Sequence, residues 1–151
     1  MAKRKKILAV ASGGGHWAQL MRLRPAFEGH EVVYVSVGRG YADEVAPARF
    51  HAVGDANQWT KLALAVLALR VAWVVLRERP DLVVSTGAAP GFFAVYVGKK
   101  LGARCLWLDS IANVEALSLS GRLAGKHAEL WLTQWPDLAA AEGPHYRGSV
   151  L

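Results

Sequence analysis

The run Ser12-Gly13-Gly14-Gly15-His16 holds the plainest chemical promise in this sequence. Three successive glycines leave backbone N–H groups unobstructed by side chains. A helix opening just after them adds its positive dipole end, so a phosphate or diphosphate is the natural guest. The competing reading is a tight turn whose glycines only let a strand and a helix pack closely. His16, at the helix start, can donate to a phosphate or act as an acid–base group. Capping that helix or packing on Trp17 is its structural alternative. A second small-residue loop, Ser85-Thr86-Gly87-Ala88-Ala89-Pro90-Gly91, offers backbone donors and the Thr86 hydroxyl to an anionic or sugar ligand. An ordinary capped turn would look the same. A third polar group is Asp109-Ser110 with Asn113 and Glu115 close behind. Asp109 is a helix N-cap on one reading and, near the other two loops, a general base on the other.

The elements around these clusters decide whether they can meet. Ile7 to Ala11, Glu31 to Ser36, His51 to Val53, Asp81 to Ser85, Cys105 to Leu108 and Leu130 to Thr133 read as short apolar strands. Helices are expected after Gly15 (Leu20, Leu23 and Phe27 on one face), from Lys61 to Arg79 before Pro80, from Pro90-Gly91, and around Leu117 to Gly125. Continuously apolar strands alternating with helices predict an α/β, doubly wound, Rossmann-like parallel sheet in a single domain over residues 1–151. Residues 1–6 form a basic leader. In such a sheet ligands sit outside the carboxyl ends of the strands, where strand order reverses. All three polar clusters lie at those ends and are expected to converge.

Composition removes several classes. The chain has 151 residues, 53% hydrophobic and 20% charged, so it is neither a disordered tail nor a coiled coil. A single cysteine, Cys105, excludes an internal disulfide framework and any Cys-rich zinc site, and its apolar run predicts a buried inert thiol. No Asp-x-Asp triplet and no His-x-x-x-His pair occurs, so no metal site is expected. The formal charge is +6, but it is scattered apart from Lys3-Arg4-Lys5-Lys6, and no nucleic-acid motif accompanies it. That opening is a solvated leader or a point of attraction to an anionic membrane or phosphate-rich ligand. Ile7 to Ala11 is too short for a signal peptide, which leads us to expect a cytoplasmic protein.

The helix from Lys61 to Arg79 is apolar almost throughout, broken by Arg70. It falls short of the ~20 residues needed to span a bilayer. Arg70, Trp73, Val74 and Arg77 are expected to share its outer face, an apolar surface edged by cations that suits a membrane interface. A buried helix or a protein-contact face is the alternative. Gly13-x-Gly15-x-x-Ala18 also satisfies a relaxed dinucleotide fingerprint. The second strand ends at Ser36-Val37-Gly38-Arg39 without the carboxylate that would hold a ribose, so NAD is disfavoured and Arg39 leaves an NADP-binding protein as a rival.

Taken together, Ser12 to His16 with Gln19-Leu20, Pro80 to Ala88, Ser118-Leu119-Ser120-Gly121-Arg122-Leu123 and Gln134-Trp135 resemble one family. It is the PssD/EpsE-type subunit of bacterial exopolysaccharide glycosyltransferases. That subunit is related to the membrane-anchoring subunit of the dolichol-pathway UDP-GlcNAc transferase and similar to the N-terminal half of MurG-type enzymes. The resemblance implies a split GT-B enzyme without a cofactor, of which this chain is the acceptor-side half. It implies as partners a small donor-binding subunit in a heterodimer, a UDP-sugar, a polyprenyl-diphosphate-linked saccharide and the cytoplasmic face of the membrane. Ser12, Gly13, Gly14, Gly15, Thr86, Gly87, Ala88, Ser110 and Asn113 then fall around the diphosphate. His16 is the first candidate base and Asp109 the second, although relatives usually carry Glu-Ser where Asp109-Ser110 stands. The eukaryotic relatives begin with a transmembrane helix not expected here, so Lys3 to Lys6 and the Arg70, Trp73 and Arg77 face would supply attachment. The tail 143–151, with Tyr146 and Leu151, is the candidate partner-docking segment. A non-catalytic membrane scaffold for the donor-binding subunit remains a further alternative.

Overall fold

A computed structural model describes residues 3–55 and 60–150. Its elements are β1 (Lys6–Ala11), α1 (Gly15–Arg22), β2 (Glu31–Ser36), α2 (Ala42–Val45), β3 (Arg49–Ala52) and α3 (Lys61–Glu78). They continue as β4 (Leu82–Gly87), α4 (Ala88–Lys100), β5 (Arg104–Leu108), α5 (Leu119–Ala124), β6 (Leu130–Thr133) and β7 (His145–Tyr146). The strands form one parallel sheet in the order β3-β2-β1-β4-β5-β6-β7. The chain runs outward from β1 to one edge, then returns to β4 and runs to the other. The reversal lies between β1 and β4, the expected ligand crevice of an open α/β sheet.

Alternating side chains divide each strand between two cores. Ile7, Ala9 and Ala11 pack with Trp17, Leu20 and Phe27 on the α1 face. Leu8 and Val10 pack with Leu67, Val71, Val75 and Val95 under α3 and α4. Being covered on both faces explains why the strands are apolar at every position rather than at alternate ones. Cys105 is buried there, and burial, with the Glu129 charge adding to it, pushes its thiol up to about 12. The thiol is inert in the folded chain.

Several boundaries differ from the sequence expectation. Helix α1 stops at Arg22 and continues as a 3-10 turn over Arg24–Phe27, where Pro25 cannot extend an α-helix. Helix α3 ends at Glu78, with Arg79 left-handed at φ 46° ahead of Pro80. Strand β4 runs on to Gly87, and α4 opens at Ala88, ahead of the Pro90-Gly91 pair. The short α2 and β7 carry too few residues to show a period and were not expected.

One buried charge ties the outer edge of the sheet together. Glu78, 5% exposed, bonds Lys6 Nζ at 2.9 Å, Arg49 Nη2 at 2.9 Å and His51 Nε2 at 2.7 Å. Burial alone would push its carboxyl up. The hydrogen bonds from His51 and Lys6, with the charges of Lys6 and Arg49, outweigh that and hold it below its ordinary value of 4.5. A depressed folded value means the stabilisation is complete above the unfolded value and drains away as pH falls through the folded one. Glu78→Gln, which leaves three cationic or polar partners around a neutral amide, is expected to cost about 3 kcal/mol at pH 7, or roughly 6–12 °C in Tm. The gap to the parent should narrow steadily below about pH 4.5, and melting curves at pH 7 and pH 3 would check it. A gap that stayed constant over that range would sink the assignment.

Candidate functional site

The crevice between β1 and β4 is shaped by a register shift. Val10 pairs with Ser85 but Ala11 pairs with Gly87, so Thr86 is the extra residue in its strand. The bulge turns Thr86 towards α1, and two bonds lock the loops to each other. Thr86 Oγ1 donates to the His16 carbonyl at 2.6 Å, and His16 Nδ1 lies 3.1 Å from the Thr86 carbonyl. A carbonyl only accepts, so Nδ1 must carry the hydrogen. In the neutral imidazole the lone pair then sits on Nε2, half-buried at the head of α1. The alternative of His16 merely packing on Trp17 is not what the geometry shows.

Gly87 is required for this arrangement on two grounds. Its φ is +144°, and a Cβ there would clash with Nδ1 and Cε1 of His16. Beside it Ala88 holds φ +68°, a strained value for a residue with a side chain. Ser85, fully buried, accepts from Gly87 N–H at 3.1 Å, and Gly91 leaves its hydroxyl the space it occupies.

The glycine loop differs from expectation in one respect. Gly14 N–H is not unobstructed: it donates to the Tyr41 hydroxyl at 2.9 Å. A Cβ on Gly13 would lie 2.6 Å from the same oxygen. Gly15 and His16 open α1, and their N–H groups have no intrahelical partner.

Asp109 and Asn113 lie in a different setting. Asp109 is 1% exposed. Its Oδ1 accepts from Trp107 Nε1 at 3.1 Å and Ser118 Oγ at 2.6 Å, and its Oδ2 from Asn113 Nδ2 at 3.0 Å and Ser118 N–H at 3.1 Å. Asp109 is therefore no helix cap. Ser118 caps α5 instead, accepting from Gly121 N–H, while Gly121 has no side chain because the Asp109 carboxylate stands there. The Ser118-to-Leu123 motif is thus one cap and one close approach.

Ser110 joins the α1 cluster through Gln19. Gln19 Nε2 donates to Ser110 Oγ at 3.2 Å, and its Oε1 accepts from Ile111 N–H and from Gln134 Nε2. Gln134 also bonds the Asp109 carbonyl and accepts from Val150 N–H at 2.7 Å, while Arg22 donates to the Val150 carbonyl. The three polar clusters therefore do converge at one end of the sheet: the first two directly, the third through Gln19. Tyr41, Gln19 and Gln134 are the members that chemistry-bearing patterns did not single out as site residues. Leu151 lies outside the described residues, and Tyr146 belongs to β7 with its side chain exposed.

On α3 the outer face is not the expected one. Val74 is buried against the sheet. Leu62, Val66, Leu69, Trp73 and Leu76, spaced four and three apart, form the exposed stripe, with Leu62 77% and Leu69 72% exposed. Arg77 stacks over Trp73 at 5.5 Å, and Arg70 reaches the Val53 carbonyl at 3.3 Å. Among the described residues no helix is long and apolar enough to cross a membrane.

No family model matches the chain. It is 27% identical to the UDP-N-acetylglucosamine transferase subunit ALG14 of Eremothecium gossypii, over 89% of this chain and 75% of that protein. The ALG14 subunit of Mus musculus is 24% identical over 88% of this chain and 76% of its own length. Among solved structures, MurG of Acinetobacter baumannii superposes with a TM-score of 0.77 over 96% of this chain, at 13% identity. UDP-N-acetylglucosamine 2-epimerase of Rickettsia bellii superposes at 0.71 over 97%, at 16% identity. The chain spans 46% of the former structure and 45% of the latter. By sequence the chain is thus similar to ALG14 subunits of UDP-N-acetylglucosamine transferases, and its Rossmann-like fold matches the N-terminal half of GT-B enzymes such as MurG.

Proposed function

We propose that this chain is the acceptor-side half of a two-component inverting glycosyltransferase of the PssD/EpsE type. A separate small subunit supplies the donor-binding half. The observation that carries the reading is His16, fixed by its reciprocal bonds to Thr86 at the reversal point of the sheet with Nε2 left as a base. The similarity to ALG14, which is a transferase subunit, supports a need for a partner. In the transfer an acceptor hydroxyl gives its proton to His16 Nε2 as its oxygen bonds the anomeric carbon. The bond from that carbon to the UDP oxygen breaks, and UDP leaves with the electron pair. No metal is assigned to this step: backbone dipoles and cations stabilise the departing diphosphate. The acceptor is a polyprenyl-diphosphate-linked saccharide whose diphosphate meets the mouth of the glycine loop at Gly15 and His16, beside Ala88. Thr86, with its hydroxyl bonded to the His16 carbonyl, braces that loop from behind. The biosynthesis served is that of an exopolysaccharide, at the cytoplasmic face of the membrane.

The test is co-expression with a candidate donor-binding subunit, followed by transfer from UDP-N-acetylglucosamine and other UDP-sugars to a prenyl-diphosphate saccharide. A stable pair that turns over, with this chain alone inactive, is the expected result. Co-purification should weaken in Tyr146→Ala if the tail docks the partner. A chain that ignores every such subunit yet is stabilised against melting by NADP would favour the dinucleotide reading instead.

Membrane attachment is assigned to the α3 stripe, which includes Trp73, with Arg70 and Arg77 at its edge, helped by Lys3 to Lys5. Lys6, the expected end of the basic leader, instead opens β1 and is bound to Glu78. Leu69→Glu, exposed and remote from the crevice, should reduce co-sedimentation with anionic vesicles by about tenfold. Its melting temperature should stay at the parent value. Undiminished sedimentation would remove the stripe from that role.

A further inference from the structure

The segment Arg39–Val45 folds back over the glycine loop and brings one phenol to it. The Tyr41 ring lies 4.9 Å from the Trp17 ring at an interplanar angle of 35°. Trp17 is itself 3% exposed, and its Nε1 donates to Glu44 Oε2 at 2.6 Å. Glu44 follows Tyr41 by three residues, so the brace closes on the segment that carries the phenol. At the other end of the ring the hydroxyl accepts Gly14 N–H at 2.9 Å and occupies the space a Cβ on Gly13 would need. The glycine at position 13 is thus explained by Tyr41 rather than by a ligand.

A phenol oxygen that accepts a hydrogen bond still has its own O–H to give. Among the described residues nothing accepts it. The donor is strengthened by the amide behind it and by the positive end of α1 beside it. Two behaviours are open to such a group. It can swing away and uncover Gly14 N–H, or it can stay and present its O–H in place of that amide. Swinging away would strip the Gly14 bond and open the buried Trp17 ring to water, and both losses oppose it.

We propose that Tyr41 stays in place and is a ligand-binding residue of the glycine loop. It donates its O–H to one oxygen of the diphosphate whose other oxygens face the N–H groups of Gly15 and His16. This rests on the proposed function of the loop as a diphosphate site and names a side chain which that reading lacked. It also sets the ligand's depth. The guest sits one hydrogen bond further out than the Gly14 amide, at the mouth of the loop beside His16 rather than inside it.

The experiment is a titration of the isotope-labelled chain with farnesyl diphosphate, following the Gly14, Gly15 and His16 amide resonances. In the parent, Gly15 and His16 should shift on binding. Tyr41→Phe keeps the ring on Trp17 and should weaken binding by about tenfold. Gly13→Ala pushes the hydroxyl outward and should weaken it similarly. Because removing the hydroxyl also removes that clash, the double variant Gly13→Ala/Tyr41→Phe should bind no worse than Tyr41→Phe alone. Equal or tighter binding by Tyr41→Phe would overturn the proposal and make the phenol a mere cover. Additive losses in the double variant would overturn it too. A parent chain whose glycine-loop amides ignore farnesyl diphosphate would overturn the diphosphate reading itself, which separates the two failures.

Discussion

His16→Ala is expected to lower sugar transfer by roughly 10²-fold or more while leaving the heterodimer intact. The geometry gives the reason. Nδ1 is spent on the Thr86 carbonyl, and that bond fixes both the tautomer and the ring plane, leaving Nε2 as the one basic nitrogen. Gly87→Ala offers a second route to the same loss without touching the imidazole. A Cβ there would clash with the Nδ1 edge of the His16 ring, and the backbone at φ +144° resists any side chain. The ring must move, so transfer should fall by a comparable factor, with a larger drop in Tm than His16→Ala, which loses only the bond to the Thr86 carbonyl. His16→Gln, which can still bond the Thr86 carbonyl but has no basic nitrogen, should be as inactive as the alanine variant. Near-normal turnover in His16→Ala or His16→Gln would remove His16 from the base role. An intact but inactive pair would in turn exclude the scaffold reading, since a scaffold contributes no chemical group.

The parts of the site that could be read from sequence were those written as strand, small-residue turn and helix start. Ile7 to His16 and Leu82 to Gly91 have that form, and the topology of a parallel sheet then brings them to the same end of the sheet. What could not be read was anything set by contacts across the fold. Tyr41 sits in a 3-10 turn followed by a four-residue helix, too short for periodicity, and its place is fixed by Trp17 and Gly14, more than twenty positions away. The bulge at Thr86 depends on register with β1 and leaves no trace in composition. On α3 the failure has a different cause. The helix is apolar on nearly every side, so its faces differ little in hydrophobicity and the wheel placed Val74 outward. Only the sheet beneath decides that Val71, Val74 and Val75 point in and that Leu62, Leu69 and Trp73 point out.

The carboxylate of Asp109 marks the deepest divide between a pattern and its meaning. A lone Asp at a strand end beside two ligand loops reads as a base. In the fold it is 1% exposed and surrounded by four donors from Trp107, Asn113 and Ser118. Those bonds close residues 109–118 into a fixed loop, which Gln19 and Gln134 fasten to α1. We infer that Asp109 positions this loop rather than exchanging a proton with the acceptor. Asp109→Ala leaves four donors facing an empty space and should destabilise the chain by about 3–5 kcal/mol, roughly 6–20 °C in Tm for a domain of this size. Asp109→Asn restores one acceptor oxygen but turns an amide N–H₂ towards donors, so it should fall between parent and alanine. Transfer should follow that order, because Ser110 is carried by the same loop. A base would behave otherwise: Asp109→Asn would fold like the parent and be inactive. Melting curves and single-turnover rates for the two variants separate these outcomes, since positioning makes both quantities fall together whereas acid–base chemistry makes only the rate fall.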